Sequence, residues 1–273
     1  VGYVMIATIL LPMYYRLNLT SIYTYLEKRF GFFSYKTGAG FFLLSRVIGA
    51  SFRLYLVALV LDAFVLGVAP FNVPFEITVI ATIVLIWVYT FRGGIKTIVW
   101  TDSLQTFCML AVVVLTIWGI GNAMDLSVGS LVSTVQASDY SQLFFFEDGW
   151  SDPNNFFKQF LAGASIAFVM TGLDQDMMQK NLSCRNIGDA QKNMISLGVV
   201  LIFVNILFLG LGALLYIYAN SQGIVIPEKT DELFPMIALE HLSPAVGILF
   251  ILGLIAAAYS SADSALTSLS TSF

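Results

Sequence analysis

Long apolar runs interrupted by short polar stretches are the feature that most restricts what this chain can fold into. Several runs reach the roughly 20 residues that an α-helix needs to cross a hydrocarbon core. Of the 273 residues, 58% are hydrophobic and 11% are charged, whereas soluble domains average about 25% charged residues. The sequence therefore predicts an all-α polytopic membrane protein in one transmembrane domain, 1–273. Its seven spans are expected near 1–15, 37–67, 72–91, 98–123, 156–179, 194–219 and 244–272.

Charge alternates between the loops that join these predicted spans. Lys and Arg concentrate near 16–36, 92–96 and 180–192, whereas the intervening loops are mainly acidic. Cytoplasmic loops carry the excess of Lys and Arg in membrane proteins. We therefore expect a multi-pass protein of the cell membrane with the three basic loops in the cytoplasm.

Few residue types suited to enzymatic or redox chemistry are present. The two cysteines, Cys108 and Cys184, form no CxxC pair, and the single histidine, His241, belongs to a predicted outer loop. No Ser/His/Asp or His/Glu pattern stands within the spans. We expect neither an enzyme nor a nucleic-acid partner; the expected partners are a small organic solute, a coupling ion and the lipid bilayer.

The segment 156–179 differs from the other spans. Gly163, Gly172 and the polar run "DQD" at 174–176 leave a short apolar core. Short, glycine-interrupted spans are typical of broken helices that expose backbone at a transporter's binding site. The alternative is an ordinary helix that ends early at the membrane surface.

Ionisable residues inside predicted spans are costly and often mark a pathway. Four qualify here. Arg53 lies near the middle of its span and needs an acid, carbonyl groups or water, so a structural ion pair is one interpretation. Asp102 stands at an apparent helix entrance, where an acid also complements the helix dipole. The four are Arg46, Arg53, Asp102 and Asp263.

The last span, "AAAYSSADSALTSLSTS" at 256–272, is rich in hydroxyl groups. At helical spacing, Ala257, Ser260, Ser261 and Ser264 fall on one stripe, with Asp263 at its margin. Such stripes also serve close helix packing. Several neutral oxygens with at most one carboxylate are, however, the surface that a small hard cation prefers, which indicates an ion-coupled transporter.

Four motifs together resemble the sodium:solute symporter family over essentially the whole chain. They are "LTSIYTYLEKRFG" (19–31), "RGGIKTIVWTDSLQ" (92–105), "TGLDQDMMQKNLSCRNIGDAQKN" (171–193) and the serine-rich span. The resemblance implies the inverted-repeat fold of leucine-type transporters. It also implies sodium-coupled symport by alternating access. The chain would be a fragment running from core helix 2 to helix 8, incomplete at both ends and without helix 1.

The resemblance also implies where sodium binds. A first sodium site would use the carbonyl of Ala257 and the hydroxyls of Ser260 and Ser261, together with helix 1 carbonyls. Some relatives have a second site, and its matching positions are Asp102, Ser260, Asp263 and Ser264. Asp263 replaces a hydroxyl residue there, so it would hold sodium more firmly, pair with Arg53 or titrate.

The solute is less closely indicated. Sugar-transporting relatives tend to have an aromatic pair where this chain has Met170 and Thr171, which disfavours a stacked hexose. Asp174 and Gln175 match polar motif residues, and Arg53 is a candidate for an anionic solute. Two alternatives remain: a proton-coupled symporter using Asp102 and Asp263, and a symporter-like sensor domain of a signalling protein.

Overall fold

The computed structural model describes residues 1–19, 21–67, 71–90, 95–146 and 149–272, with side-chain surroundings except at 86–87, 89–90, 95–99, 101, 176, 258–259 and 261–272. Every regular element in these ranges is helical, which confirms the predicted all-α class. The helices are α1 (Gly2–Met5), α2 (Leu11–Arg16), α3 (Ile22–Phe30), α4 (Phe32–Leu61), α5 (Phe75–Thr90), α6 (Ile95–Ala123), α7 (Val128–Gln136), α8 (Phe156–Gly172), α9 (Gln175–Leu182), α10 (Ile187–Gln222), α11 (Leu233–Met236) and α12 (Pro244–Ser272).

Three stretches of π-helix extend or join these helices. Ile6–Leu10 connects α1 to α2, Asp62–Leu66 extends α4, and Ile237–His241 follows α11. A π-turn inserts one extra residue per turn and is frequent at functional sites. Residues 2–16 therefore form one helix whose middle is widened.

In the part of the chain that the structure describes, three helices are long and apolar enough to cross a membrane: Phe32–Leu66, Asp102–Ala123 and Ile187–Gln222. Large apolar side chains on their surfaces are exposed, such as Phe203 at 68% and Leu209 at 63% on α10. A helix that is apolar all round is buried in a large core or faces lipid. The total of seven spans stays a prediction.

The chain divides into two compact units, and the first comprises Val1–Ser45, Gln142–Asn205 and Leu266–Phe273. Its core packs residues 6–19 and 22–23 against α9 and the start of α10. Met178 and Met194 are fully buried there. The other buried members are Ile6, Ala7, Leu10, Leu11, Tyr14, Leu19, Ile22, Tyr23, Phe42 and Ala190.

Glycines allow close approach between the helices of this first unit. A β-carbon at Gly2 would lie 2.6 Å from the carbonyl oxygen of Ala164 on α8. One at Gly172 would lie 2.5 Å from Cδ1 of Leu10, and one at Gly198 would lie 3.2 Å from Cβ of Tyr3. Small residues let helix backbones approach where the bilayer supplies no hydrophobic drive for association. Helix 2–16 therefore packs closely against α8 and α10 at these glycines.

The second unit comprises Arg46–Ser141 and Ile206–Ala265. Its core lies between α6, α7, α10 and the segment from α11 into α12. Its buried residues are Val112, Val113, Ile120, Leu131, Leu211, Leu214, Leu215, Tyr218, Ala219, Leu233, Ile237, Ala238, Val246 and Phe250. This core fixes α6 beside α12, the two helices that carry the predicted cation ligands.

Candidate functional site

Helices α6 and α12 pack side by side in opposite directions. A β-carbon at Gly253 would lie 3.5 Å from Cβ of Cys108, and one at Gly119 would lie 3.3 Å from Cδ2 of Leu242. From the first contact to the second, the residue number rises by 11 on α6, from Cys108 to Gly119. On the other side it falls by 11, from Gly253 to Leu242 in the stretch that leads into α12. The same antiparallel register, continued by two turns, brings Asp102 beside Ser260.

Asp102 and Ser260 are in direct contact. The Ser260 hydroxyl donates a hydrogen bond to Oδ1 of Asp102, and both residues are half-buried. The backbone carbonyl of Asp102 accepts a second bond, from the Thr106 hydroxyl at 2.8 Å. A serine hydroxyl has one proton and two lone pairs. Because its proton points to the carboxylate, its lone pairs remain for a cation.

The interpretation of Asp102 as a residue at a helix entrance is wrong. The helix α6 begins at Ile95, so Asp102 lies about two turns inside it. The orphan N–H groups and the positive end of the helix dipole are confined to the first turn. The position of Asp102 on α6 puts it on the side that faces α12. Its hydrogen-bond partner, Ser260, belongs to α12.

The other predicted cation ligands all belong to α12. Ala257 is half-buried and precedes Ser260 by one turn. Ser261, Asp263 and Ser264 belong to the same helix, but their side chains lie outside the described residues. Helical spacing puts Ala257, Ser260, Ser261 and Ser264 on one stripe. Among the described residues, no group of three His, Cys, Asp or Glu side chains could hold a metal ion.

An interruption separates α8 from α9 in the first unit, within the predicted span 156–179. The helix α8 ends at Gly172, and α9 begins at Gln175. Asp174 caps α9, because its Oδ1 accepts from the backbone N–H of Met177 at 3.2 Å. The helix therefore stops inside the predicted span, which fits both a broken helix and an ordinary helix that ends early, and Asp174 caps the helix that follows.

Gln175 is 1% exposed, and its side-chain amide contacts the start of α3. Its Oε1 accepts from the backbone N–H of Ile22 at 2.9 Å. Ile22 is the first residue of α3, where backbone N–H groups have no partner within the helix. Gln175 therefore fastens the start of α3 to the interruption between α8 and α9.

Two tyrosines contact the same region, and the sequence analysis did not single them out. The Tyr14 hydroxyl donates to the carbonyl of Gly172 at 3.1 Å. The Tyr15 hydroxyl lies 3.1 Å from the carbonyl of Asn181 and 3.2 Å from that of Cys184. The only local signal for them was a Tyr-Tyr pair at the end of an apolar run, whereas their partners lie more than 150 residues away.

Further amide side chains bind the first unit together. The Asn193 amide donates to Oδ1 of Asn181 at 3.0 Å, and the Gln191 amide donates to the carbonyl of Ala7 at 2.8 Å. Ala7 lies in the π-helical stretch, where widening of the helix displaces carbonyls from their usual partners. The first bond joins α10 to α9, and the second joins α10 to helix 2–16.

The two arginines of α4 have different surroundings. Arg46 is half-buried, whereas Arg53 is exposed. No described residue forms an ion pair with Arg53, and the side chain of Asp263 lies outside the described residues. A structural ion pair for Arg53 stays a prediction.

Comparison with known proteins gives one consistent family. A family model described as the sodium:solute symporter family matches residues 1–273. The chain is 28% identical to the sodium/sialic acid symporter NanT of Aliivibrio fischeri, over 96% of the chain and 51% of the relative. It is 24% identical to the sodium/sialic acid symporter SiaT of Proteus mirabilis, over 96% of the chain and 52% of the relative.

A solved structure described as the substrate-bound outward-open state of a Na⁺-coupled sialic acid symporter with a novel Na⁺ site has the same fold. The TM-score is 0.82 at 23% identity, covering 100% of this chain and 57% of the other. The chain thus spans about half the length of the relatives it matches. The chain belongs to the sodium:solute symporter family, a family of membrane transporters.

Proposed function

We propose that the protein containing this chain carries a small organic solute across the membrane together with sodium, by alternating access. The observation that carries the proposal is the contact between Ser260 and Asp102. A carboxylate and a hydroxyl from two adjacent apolar helices meet there, one of them on a membrane-length helix. An ionisable group inside the bilayer marks an ion pathway by default.

The proposed donors are oxygens, the ligand type that hard cations such as sodium take. In the first proposed site, the carbonyl of Ala257 and the hydroxyls of Ser260 and Ser261 supply neutral oxygens, which hold a hard cation loosely enough for release. In the second, Asp102 supplies a carboxylate and Ser260 a hydroxyl, and Asp263 and Ser264 are the other proposed ligands. Hard cations take oxygen ligands of both kinds. Ser260 belongs to both proposed sites.

Sodium entry supplies the energy for solute uptake. Moving one elementary charge through 100 mV releases about 2.3 kcal/mol, and coupling requires that the ion and solute sites bias the same conformational equilibrium. With the basic loops near 16–36, 92–96 and 180–192 in the cytoplasm of the cell, an inward-negative potential drives sodium inward. This orientation is part of the proposal.

For the solute, we propose a small organic anion, with sialic acid as the first compound to test. Two of the relatives that the chain matches are named for sodium and sialic acid. Arg53 is an exposed cation on a membrane-length helix and is the proposed contact for a carboxylate. Asp174 and Gln175, the other two residues that the motif relates to the solute, have structural partners at the interruption between α8 and α9, and we propose that they maintain its shape.

The test uses the full-length protein in proteoliposomes with an inward sodium gradient and radiolabelled sialic acid. Uptake is expected to require sodium and to fall at least tenfold in Ser260→Ala and in Asp102→Asn. The matched control is Ser51→Ala, because Ser51 is exposed on α4 and its hydroxyl bonds only the carbonyl of Val47. Sodium-dependent uptake that both site variants retain would refute the cation site.

A proton-coupled mechanism is the second candidate, since the contact involves a carboxylate. Replacing sodium by choline at constant pH separates the two. Sodium coupling predicts that uptake stops in choline. Proton coupling through Asp102 and Asp263 predicts that uptake continues and follows an inward pH gradient.

A further inference from the structure

The junction between α3 and α4 forms a basic and aromatic corner. We use "α3–α4 corner" for Lys28, Arg29, Phe30, Phe32, Phe33 and Lys36, all of which are exposed. Phe30, Phe32 and Phe33 are 62%, 58% and 85% exposed. Over residues 16–36 the chain has four basic residues and one acid, Glu27. Exposed aromatics and concentrated positive charge thus share one short stretch.

The corner is built by a sharp change of chain direction. Gly31 separates α3 from α4 with φ at 89°, a conformation that favours glycine. The rings of Phe32 and Phe33 meet edge to face, with centroids 6.1 Å apart. Nζ of Lys36 lies 5.6 Å from the centroid of Phe32 and 5.0 Å from that of Tyr35. The aromatic rings and the Lys36 ammonium therefore form one local surface.

This surface lies at the end of a membrane-length helix. Phe32 begins the apolar helix Phe32–Leu66, and the proposal places this end of the helix where the hydrocarbon core gives way to headgroups. Aromatic side chains concentrate at that level. Long basic side chains place their charge among the headgroups and keep their stems in apolar surroundings.

The helix that carries the corner is firmly held at its other end. Ser21 caps α3 by accepting from the N–H of Tyr23 at 3.2 Å, and Ile22 donates to Gln175. Ile22 and Tyr23 are buried in the core of the first unit. The basic groups at the end of α3 are therefore presented from a fixed helix, which lowers the entropy lost on binding.

From these observations we propose that the α3–α4 corner binds the headgroups of anionic phospholipids. Each Lys or Arg near an anionic surface contributes about a fivefold gain in association, the equivalent of roughly 1 kcal/mol. Arg29 and Lys36 supply the charge, and the phenylalanine rings insert beside the acyl chains. The proposal concerns the membrane-embedded chain and does not depend on which solute or ion is transported.

The test measures lipid preference of the full-length protein in bilayers that contain spin-labelled phosphatidylglycerol or spin-labelled phosphatidylcholine. The wild type is expected to prefer phosphatidylglycerol, with the preference reduced in 0.5 M NaCl by screening. Arg29→Gln/Lys36→Gln is expected to weaken the association constant of the preferred site by about tenfold or more. The conservative variant Arg29→Lys/Lys36→Arg should keep the preference, which shows that charge and not side-chain identity matters.

The matched single substitution compares two exposed lysines. Lys36→Gln is expected to reduce the preference, whereas Lys229→Gln, in the acidic loop between α10 and α12, is expected to leave it unchanged. The proposal is overturned if the wild type shows no preference, if both lysine variants lose it equally, or if inorganic phosphate at 10 mM abolishes it. The last outcome would assign the corner to a free anion.

Discussion

The Ser260 hydroxyl on α12 donates a hydrogen bond to the carboxylate of Asp102 on α6, at a point where the two helices run antiparallel in close contact. In a hydrocarbon environment both groups need a partner, because an unsatisfied polar group there costs several kcal/mol. The hydroxyl and the carboxylate therefore satisfy each other. The Ser260 oxygen keeps two lone pairs of the kind that a hard cation takes.

A double-mutant cycle tests this pair. Ser260→Ala and Asp102→Asn are each expected to raise the sodium concentration for half-maximal uptake about tenfold, close to 1.4 kcal/mol. The double variant should show about the same shift as either single one, because residues in one hydrogen-bonded pair act non-additively. Ser51→Ala serves as the control. Independent effects that multiply to about a hundredfold would contradict the shared site.

Replacing Gly172 with alanine tests the close contact at the end of α8. The new β-carbon would lie 2.5 Å from Cδ1 of Leu10 and 3.0 Å from Cγ1 of Ile6. Such overpacking typically costs about 1–3 kcal/mol, so Gly172→Ala should lower the thermal unfolding temperature in detergent. Gly163→Ala on the same helix is the control, because nothing lies within 4 Å of its new β-carbon. Equal stability of the two variants would argue against the contact.

Gln175→Ala tests the link between the interruption and α3. It removes the buried acceptor of the Ile22 N–H, a loss of about 1–3 kcal/mol when a buried group is left unsatisfied. Amide hydrogen exchange of a peptide covering 19–30 is expected to become faster in this variant. The exposed Gln136 provides the control through Gln136→Ala. Unchanged exchange in Gln175→Ala would show that α3 does not depend on this bond.

Tyr15→Phe tests the bonds that hold α9 near helix 2–16. The Tyr15 hydroxyl contacts the carbonyls of Asn181 and Cys184, and losing it should free the turn that contains Cys184. We expect faster maleimide labelling of the half-buried Cys184, while the buried Cys108 stays unlabelled as an internal reference. Tyr25→Phe should leave the rate unchanged. A rate in Tyr15→Phe equal to that of the wild type would contradict the role of the hydroxyl.

Thr116→Val is expected to stabilise the protein. The Thr116 hydroxyl on α6 is fully buried and forms no hydrogen bond with any residue that the structure describes. Valine has nearly the same shape without the polar group, so the substitution should raise stability by about 1 kcal/mol. By contrast, Thr82→Val removes a bond of 2.8 Å to the carbonyl of Thr78 and should not stabilise. Thermal unfolding of both variants decides the sign, and destabilisation by Thr116→Val would be evidence for an additional partner.

Local features of the chain were sufficient to predict much of the architecture. Apolar runs predicted helices close to the observed α4, α5, α6, α10 and α12, because helix formation in a membrane depends on composition and length. The glycines and polar residues of 156–179 predicted either a broken helix or a helix that ends early, and the end of α8 at Gly172 with α9 beginning at Gln175 fits both. The error over Asp102 arose from helix boundaries, which sequence patterns locate poorly.

The amino-acid sequence is sufficient to predict the class of protein, the family and the residue types that could hold a cation. The packing of the helices, in contrast, determines that Asp102 contacts Ser260 and that Gln175 accepts a hydrogen bond from Ile22. It also decided that Tyr14 bonds the carbonyl of Gly172. The physical reason is that contacts between helices depend on where backbones approach closely. Those points are set by pairs such as Gly253 with Cys108, separated by 145 residues of chain. The periodicity of residue types within one helix predicts which residues share a face. Which helix packs against that face depends on the packing of both helices.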